Sequence, residues 1–269
     1  MLEIAVVIPT YNRVTFIERA INSVLNQSLA VNEIIIIDDG SNDGTKELIK
    51  TKYPQINYIY QNNKGVSAAR NKGIKEANCD WIGFLDSDDA WKSNKIEKQI
   101  KAIKNSPDSL ICHTDEVWYR NGETLGQKNK HKKFGGYIFN YCLPLCVISP
   151  SSVIIHKKVF NEIGLFDEKL LACEDYDMWL RICYKYPVLF VDKALTNKYG
   201  GHNDQLSKKY WGIDRYRIIS LEKIIKSGCL SVEQRKIAIF FGWLIFSHLL
   251  LFAFRSRTAK YFEKHTEDF

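Results

Sequence analysis

The feature that most constrains the fold is a series of short apolar segments, each separated from the next by a segment with helical periodicity. Four of them, at residues 3–8, 33–37, 56–60 and 81–85, are rich in β-branched or aromatic residues. Strands that are apolar on both faces and alternate with helices are typical of a parallel sheet covered on both sides. The sequence therefore predicts an α/β fold, a Rossmann-like mainly parallel sheet with helices on both faces.

Helices are predicted after the first strand, where Thr15 and Glu18 have the spacing of a capping box, over 64–77, and after Ser93 as the cap. Beyond residue 110 the pattern is less regular. We predict a strand over 147–155 that is interrupted at Pro150, and three later helices. Those helices cover 173–186, 212–227 and 231–254. The predicted organisation is one domain over 1–210 followed by a C-terminal helical extension over 211–269.

Polar clusters stand where three of the apolar strands end, at residues 9–13, 38–44 and 86–89. In open α/β sheets, ligands bind beyond the carboxyl ends of the strands. Turn formation by Gly, Asn and Asp explains the second cluster well. It explains the third, Asp-Ser-Asp-Asp, poorly, because that cluster has neither Gly nor Asn. The sequence thus predicts a ligand site at this edge of the sheet.

Three carboxylates, Asp86, Asp88 and Asp89, follow a buried strand within four positions, although like charges repel and buried carboxylates are costly. An EF-hand loop does not fit, since Trp91 would hold the place of its glycine. The glycine-rich dinucleotide and P-loop motifs are also missing. The remaining interpretation of these carboxylates is a site for Mg²⁺ or Mn²⁺ bound to a diphosphate, because these ions take one or two carboxylates together with phosphate oxygens.

Composition adds weak constraints. The formal net charge of +7 suits anionic partners such as nucleotides, lipid phosphates or nucleic acid, although a soluble protein with a lysine-rich surface is the better explanation of the charge alone. The seven cysteines form no CxxC pair, so neither a zinc site nor a redox motif is indicated. The N-terminal segment lacks a basic leader and is interpreted as a strand rather than a signal peptide. We therefore expect a cytoplasmic protein.

Five motifs in order carry a family resemblance. VVIPTYNR, IIIIDDGSNDGT, GVSAARNKGI, FLDSDD and EDYDMWLR together resemble the family 2 glycosyltransferases of the GT-A fold, over about residues 3–205. The resemblance implies an inverting, metal-dependent, hexosyltransferase-like enzyme. Its expected donor is a nucleotide sugar, with UDP the commonest nucleotide, and its acceptor a hydroxyl of a glycan or lipid-linked molecule in cell-surface polysaccharide or glycolipid synthesis. The alternative is a catalytically inactive GT-A fold that binds sugar nucleotides or partners.

The resemblance also implies a donor site. Tyr11 would stack on the base, Asp39 would accept a hydrogen bond from it, and Arg70 would approach the nucleotide or its phosphates. Without the other motifs, Tyr11 would be interpreted as a core aromatic and Arg70 as a helix residue paired with an acid. The implied nucleotide-sugar site consists of Pro9, Thr10, Tyr11, Asp39, Arg70, Asp86, Ser87 and Asp88.

For the metal, Mn²⁺ or Mg²⁺, the resemblance implies Asp88 as the main ligand, with Asp86 and His202, although a lone His is more often structural. Asp175 would be the general base that takes the acceptor's proton, and Glu174 the alternative base. Acidic residues at a helix N-terminus are otherwise favoured by the helix dipole.

Two further expectations concern neighbouring side chains. Trp179 is predicted to lie in the core, and residues 149–152, which include three serines, are expected to form a loop beside the donor sugar.

The C-terminal segment 237–254 has no formally charged residue and is just long enough to span a bilayer. Basic residues at both ends favour a helix lying in a membrane interface, at the cytoplasmic face, over an oriented span. A core or oligomer helix is the third interpretation. The basic segment 128–133 is expected to be an exposed loop, and because no nucleic-acid-binding module accompanies it, no nucleic-acid partner is expected. The sequence carries no signal for an oligomeric state.

Overall fold

A computed structural model describes residues 2–201, 210 and 212–265, with only the backbone of 252–265. The predicted α/β fold is confirmed. Nine strands are found in the described residues, and the 147–155 strand is shorter than predicted, beginning only after a 3-10 turn over Pro150–Ser152. The strands are β1 (Ile4–Thr10), β2 (Glu33–Asp38), β3 (Asn57–Tyr60), β4 (Trp81–Phe84), β5 (Ala90–Trp91), β6 (Ile111–Arg120), β7 (Glu123–Leu125), β8 (Val153–His156) and β9 (Leu189–Gly200).

The strands form one sheet in the order β3-β2-β1-β4-β8-β6-β9-β5, with β7 paired to β6. β3, β2, β1 and β4 are parallel, as the alternation of strands and helices predicts. β8 joins β4 antiparallel and carries the sheet into its second half, where β6 and β9 are parallel. β5 directly follows Asp86–Asp89. Its antiparallel pairing with β9 returns the chain to the sheet. The carboxyl ends of β1, β2 and β4 therefore face the end of β9.

Helices cover both faces of the sheet. Side chains of β1 alternate between two core clusters, with Ala5 and Val7 on one face and Ile4, Val6 and Ile8 on the other. The helices are α1 (Ile17–Leu25), α2 (Thr45–Lys52), α3 (Val66–Glu76), α4 (Lys95–Lys104), α5 (Phe139–Cys142), α6 (Lys157–Ile163), α7 (Glu174–Cys183), α8 (Asp214–Lys226) and α9 (Val232–His265).

Two helix caps differ from the prediction. The capping box of Thr15 and Glu18 is wrong, because α1 begins after Phe16 without a side-chain cap and Glu18 instead binds Lys52 at 2.8 Å. The Ser93 cap is also wrong, since Asn94 is the capping residue of α4. At the start of α4, the backbone N–H of Ile96 donates instead to the Gln27 side-chain oxygen at 3.1 Å.

The basic segment 128–133 is only partly the exposed loop that its composition predicts. Lys133 is buried, and its ammonium lies 3.3 Å from the buried Glu116 carboxylate and donates to the Val147 carbonyl. One lysine of this basic segment is therefore buried, because the buried carboxylate of Glu116 requires a positively charged partner.

The C-terminal helices pack on the same core as the first domain. Leu221 and Ile224 of α8 are buried in the main cluster, and Lys223 bridges Asp167 at 2.5 Å and Asp177 at 2.6 Å. α9 continues to His265, beyond the predicted end at 254. The division of the chain at residue 210 stays a prediction.

Candidate functional site

A cavity of about 860 Å³ opens beyond the carboxyl ends of β1, β2 and β4. Every residue predicted for the nucleotide-sugar site lines it, together with Arg13, Lys64, Lys198 and Tyr199. We call it the donor cavity. The convergence has a topological cause: parallel neighbours end at the same edge, so motifs that are about 30 and 45 residues apart in sequence meet there. The members are Pro9, Thr10, Tyr11, Asp39, Arg70, Asp86, Ser87 and Asp88.

One wall of the donor cavity is fixed by Asp39. Its carboxylate accepts hydrogen bonds from Gln61 Nε2 at 2.7 Å and from the backbone N–H groups of Lys64 and Gly65 at 2.9 and 2.8 Å. A carboxylate has about four acceptor sites, so one remains for a further donor. Tyr11, with 47% of its surface exposed, lies open to the cavity and is not a core aromatic.

The aspartate loop after β4 is held by Ser151. Its hydroxyl donates to Asp89 Oδ2 at 2.6 Å and accepts from the Asp86 backbone N–H at 3.1 Å. Asp89 Oδ1 accepts from the Tyr199 N–H at 3.1 Å, so Asp89 joins the loop to β9. Burial raises the pKa of Asp89 to about 8. Asp89 is therefore a buried structural carboxylate, and Asp86 and Asp88 remain for a ligand.

Asp86 and Asp88 differ in how their charges are compensated. Burial by itself would raise the pKa of Asp86, but the Arg70 guanidinium and the Lys198 ammonium lower it. Burial and the neighbouring Asp86 charge raise the pKa of Asp88. Of these two carboxylates, Asp88 thus has the less compensated charge, and a nearby cation would lower its pKa.

The carboxylates of Asp86 and Asp88 fit Mg²⁺ or Mn²⁺ as a two-carboxylate metal site. Within the described residues, no group of three or more His, Cys, Asp or Glu side chains converges as a metal site. His202 lies outside the described residues. Because these ions accept one or two carboxylates plus substrate phosphates, Asp88 and Asp86 match their oxygen preference without a third protein ligand.

Arg70 joins the aspartate loop to the start of α7. One guanidinium nitrogen lies 2.7 Å from Asp86 Oδ1 and the other 2.6 Å from Glu174 Oε1, with the side chain almost fully buried. α3 reaches this position because Gly73 packs directly on β1, where a Cβ would lie 2.2 Å from Val7 Cγ1. Arg70 lines the donor cavity and is paired with two acids there, and its approach to a nucleotide stays a prediction.

A second cavity, of about 400 Å³, adjoins the first and shares Arg70, Asp86 and Lys198 with it. We call it the acceptor cavity. Both predicted catalytic residues line it. Its wall comes from segments far apart in sequence: Cys146, Pro150, Cys173, Glu174, Asp175, Tyr176, Ile213, Asp214 and Arg217.

The two acids at the start of α7 have different surroundings. Asp175 is half-buried; its Oδ1 accepts from the Tyr176 N–H at 2.7 Å, and its Oδ2 accepts from the Cys146 thiol at 3.4 Å. Glu174 is buried against Arg70, and burial raises its pKa even though Arg70 acts in the opposite direction. Asp175 is therefore the acid whose carboxylate is available to a molecule in the acceptor cavity.

Lys198 is the residue that sequence reasoning missed. It lines both cavities, because β5 pairs antiparallel with β9 and brings Lys198 opposite the aspartate loop. Burial would lower its pKa, but four carboxylates raise it. In the part of the chain that the structure describes, it forms no salt bridge within 4.0 Å. The carboxylates are those of Asp89, Glu116, Asp86 and Asp175.

No local motif marks this lysine, since it stands in an ordinary strand sequence, Thr-Asn-Lys-Tyr. Its place at the junction of the cavities comes from strand pairing, because β9 lies between β6 and β5 in the sheet.

Two remaining predictions concern neighbouring side chains. Trp179 is fully buried in the core, as predicted. The three serines of the 149–152 segment are buried and their hydroxyls bond to protein groups, and the place of this segment beside the donor sugar stays a prediction. Pro150 of the same segment lines the acceptor cavity.

Sequence comparisons find a family model and curated relatives that match this chain. The family described as Glycosyl transferase family 2 matches residues 5–164. The chain is 41% identical over 248 residues to a putative teichuronic acid biosynthesis glycosyltransferase, TuaG, of Bacillus subtilis, covering 88% of this chain and 96% of TuaG. It is 34% identical to an uncharacterized glycosyltransferase of Rickettsia felis over 81% of this chain, but it spans only 36% of that protein.

The solved structures that match share the fold. The crystal structure of S. aureus TarS residues 1–349 in complex with UDP-GlcNAc superposes with a TM-score of 0.73 at 20% identity, covering 89% of this chain and 71% of that one. At this identity the likeness shows the fold alone, which is the GT-A fold. Because the family model matches more than half of the chain, residues 5–164, and relatives exceed 30% identity, the chain belongs to glycosyltransferase family 2.

Proposed function

We propose that this protein is an inverting glycosyltransferase that transfers a sugar from a nucleotide sugar to a hydroxyl of a glycan or lipid-linked acceptor in cell-surface polysaccharide or glycolipid synthesis. The observation that carries the proposal is the junction of two cavities at Arg70, Asp86 and Lys198. One cavity has an exposed aromatic and hydrogen-bonding groups for a nucleotide, and the other has a carboxylate for an acceptor.

The donor assignment rests on chemistry at opposite ends of one cavity. The exposed Tyr11 ring offers a stacking surface for a base, and Asp39 retains an acceptor site for a base N–H. At the other end, Lys198 supplies a cation for a diphosphate. TarS in its UDP-GlcNAc complex and WfgD of Escherichia coli, whose name gives UDP-Glc as its donor and which is 31% identical, favour a UDP-sugar.

The metal is assigned to the aspartate loop. Asp88 would hold Mn²⁺ or Mg²⁺ with Asp86 beside it, and the bound ion would neutralise charge on the departing diphosphate. Lys198 acts on the same charge from β9, and Arg70 keeps Asp86 ionised and fixed in position.

Asp175 is the proposed general base. It would accept the proton of the acceptor hydroxyl while that oxygen attacks the anomeric carbon. Attack from the acceptor cavity, on the side away from the diphosphate, gives single displacement with inversion. Glu174 is less suited to this role because its carboxylate is occupied by Arg70.

A nucleotide-sugar panel with Mn²⁺ tests the proposal. We expect one donor to raise the thermal unfolding midpoint and to release nucleoside diphosphate, since a ligand that binds only the folded state stabilises it. EDTA should abolish release, and Mn²⁺ or Mg²⁺ should restore it. Stabilisation without turnover for any donor or acceptor would favour the inactive sugar-nucleotide-binding alternative. Full turnover in EDTA would reject the metal.

A further inference from the structure

Residues 237–251 of α9 are apolar except for Ser247 and His248, yet protein covers only one side of this stretch. Among the described residues, one stretch, Val232–Leu251 of α9, is long and apolar enough to cross a membrane. Only 11% of its apolar part is buried inside the protein. Ala238 and Ile245 face the core, and Gln234 Nε2 donates to the Tyr184 carbonyl at 3.2 Å. A helix that is apolar on all sides requires an apolar environment on all sides.

The uncovered side of α9 carries large apolar side chains. Phe240 and Trp243 are 63% and 66% exposed, and the other members of this outer face are at least 40% exposed. We define the outer face by these side chains, which lie on the opposite side of the helix from Ala238 and Ile245. It consists of Ile239, Phe240, Trp243, Leu244, Leu250 and Leu251.

Charge at the ends of α9 indicates what covers the outer face. Arg235 and Lys236 are exposed at its beginning, and the sequence places Arg255, Arg257 and Lys260 after the apolar stretch. Basic residues flanking exposed aromatic and aliphatic side chains suit the interface of an anionic bilayer, where lysine and arginine meet lipid phosphates and tryptophan lies among the headgroups. A second copy of the chain would place these basic ends against each other.

We propose that the outer face of α9 docks on an anionic membrane, with the helix lying in the interface and its inner face remaining on the protein. An interfacial helix normally carries polar side chains on the side that faces away from the lipid. In α9, that side packs against the folded protein instead. A span is disfavoured because it would strip Ala238 and Ile245 from the core and leave the anchored start of the helix without its Tyr184 contact.

The inner side of α9, opposite the docking surface, lies beside the wall of the acceptor cavity. α9 packs on α8, and the first residues of α8 and of the turn before it, Ile213, Asp214 and Arg217, line that cavity. A Cβ at Gly212 would lie 3.4 Å from Leu249 Cδ1, so α9 touches the chain right beside this wall. Docking would therefore hold the acceptor cavity near the membrane surface. This last step rests on the proposed function and points to a lipid-linked acceptor, whereas the docking itself does not depend on it.

Flotation with preformed vesicles tests the docking. The full chain should bind vesicles of phosphatidylcholine containing phosphatidylglycerol, and high salt should weaken the binding because it screens the basic residues. The double variant Phe240→Gln with Trp243→Gln should bind at least about tenfold more weakly, since two aromatic side chains lose their burial in lipid. Tyr137→Gln, which removes an aromatic side chain that is 74% exposed elsewhere, is the matched control and should bind normally.

Equal binding of the double variant and the wild-type protein, or no binding to any vesicle, would overturn the proposal. Self-association that the double variant abolishes, without vesicle binding, would instead assign the outer face to a second copy. Vesicle-bound protein that resists an alkaline carbonate wash would indicate a span. Diphosphate release from a soluble donor, measured on the same samples, reports the proposed function separately and should be unchanged by the double variant.

Discussion

The donor and acceptor cavities are neighbours that are built in opposite ways. The donor cavity is made mostly of turns that directly follow β1, β2 and β4, so each contributing motif is short and local. The acceptor cavity is assembled from Cys146, Asp175 and Arg217, which belong to three segments with no common pattern. A nucleotide is recognised where a parallel sheet ends, by a geometry that the strand order fixes. The acceptor wall depends on helices and loops that can differ without changing the sheet.

If this contrast reflects function, changes in the two cavities should separate donor binding from transfer, and changes at their junction should affect both. Four substitutions examine this, in order of decreasing expected effect.

Asp175→Asn should have the largest effect and act on the acceptor side alone. Loss of a general base lowers the rate by about 10²–10⁴-fold, because the acceptor hydroxyl keeps its proton. The rate of sugar transfer and the donor Kd should both be measured, and the donor Kd should not change. Asp192→Asn removes an exposed carboxylate on β9 and serves as the control. Wild-type transfer by Asp175→Asn would remove the base assignment.

Arg70→Gln should damage both cavities and the fold. It leaves the buried Glu174 and the half-buried Asp86 without their shared partner, and breaking a buried pair costs about 3–5 kcal/mol of unfolding free energy. Denaturant unfolding measures this loss. Lys72→Gln on the same helix breaks only a surface pair with Glu76 and should leave stability nearly unchanged. Similar midpoints for the two variants would show that the pairs of Arg70 with Asp86 and Glu174 do not stabilise the fold.

Lys198→Met should lower kcat/KM by about 10²-fold, as expected when a charge-stabilising donor is removed from an active site. The unfolding midpoint should change much less than in Arg70→Gln, because Lys198 forms no close salt bridge in the described residues. Lys193→Met, an exposed position on the same strand, is the matched control. A Lys198→Arg variant that recovers part of the rate would support a role through charge, and unchanged kcat/KM in Lys198→Met would refute it.

Tyr11→Ala should have the smallest effect and act on the donor side alone. Stacking of a base on an aromatic ring contributes about 1–3 kcal/mol, so the donor Kd should rise roughly tenfold while kcat at saturating donor is preserved. Calorimetry with the donor found in the panel measures the Kd. Tyr60→Ala, at a position that is 50% exposed, controls for loss of a surface aromatic. Equal donor affinity for Tyr11→Ala and the wild-type protein would move the base to another part of the cavity.

Much of the donor side could be predicted from the sequence because the information is local. An apolar run followed by Pro-Thr-Tyr or Asp-Ser-Asp predicts both a strand and the residues at its end. The parallel topology then brings those ends together. The helix caps failed for the opposite reason. Glu18 has the spacing of a capping box, but Lys52 from another element offers a stronger partner for its charge.

By itself, the sequence determined the α/β class, the family and the residues that line the donor cavity, because these follow from patterns within a few positions of one another. Only the tertiary structure decided which charges meet. Arg70 pairs with acids 16 and 104 residues away, Lys133 is buried with Glu116, and Lys198 reaches both cavities through the pairing of β5 with β9. It also decided which side of α9 is covered, since an apolar helix looks the same from every direction in sequence until the core buries one of its faces.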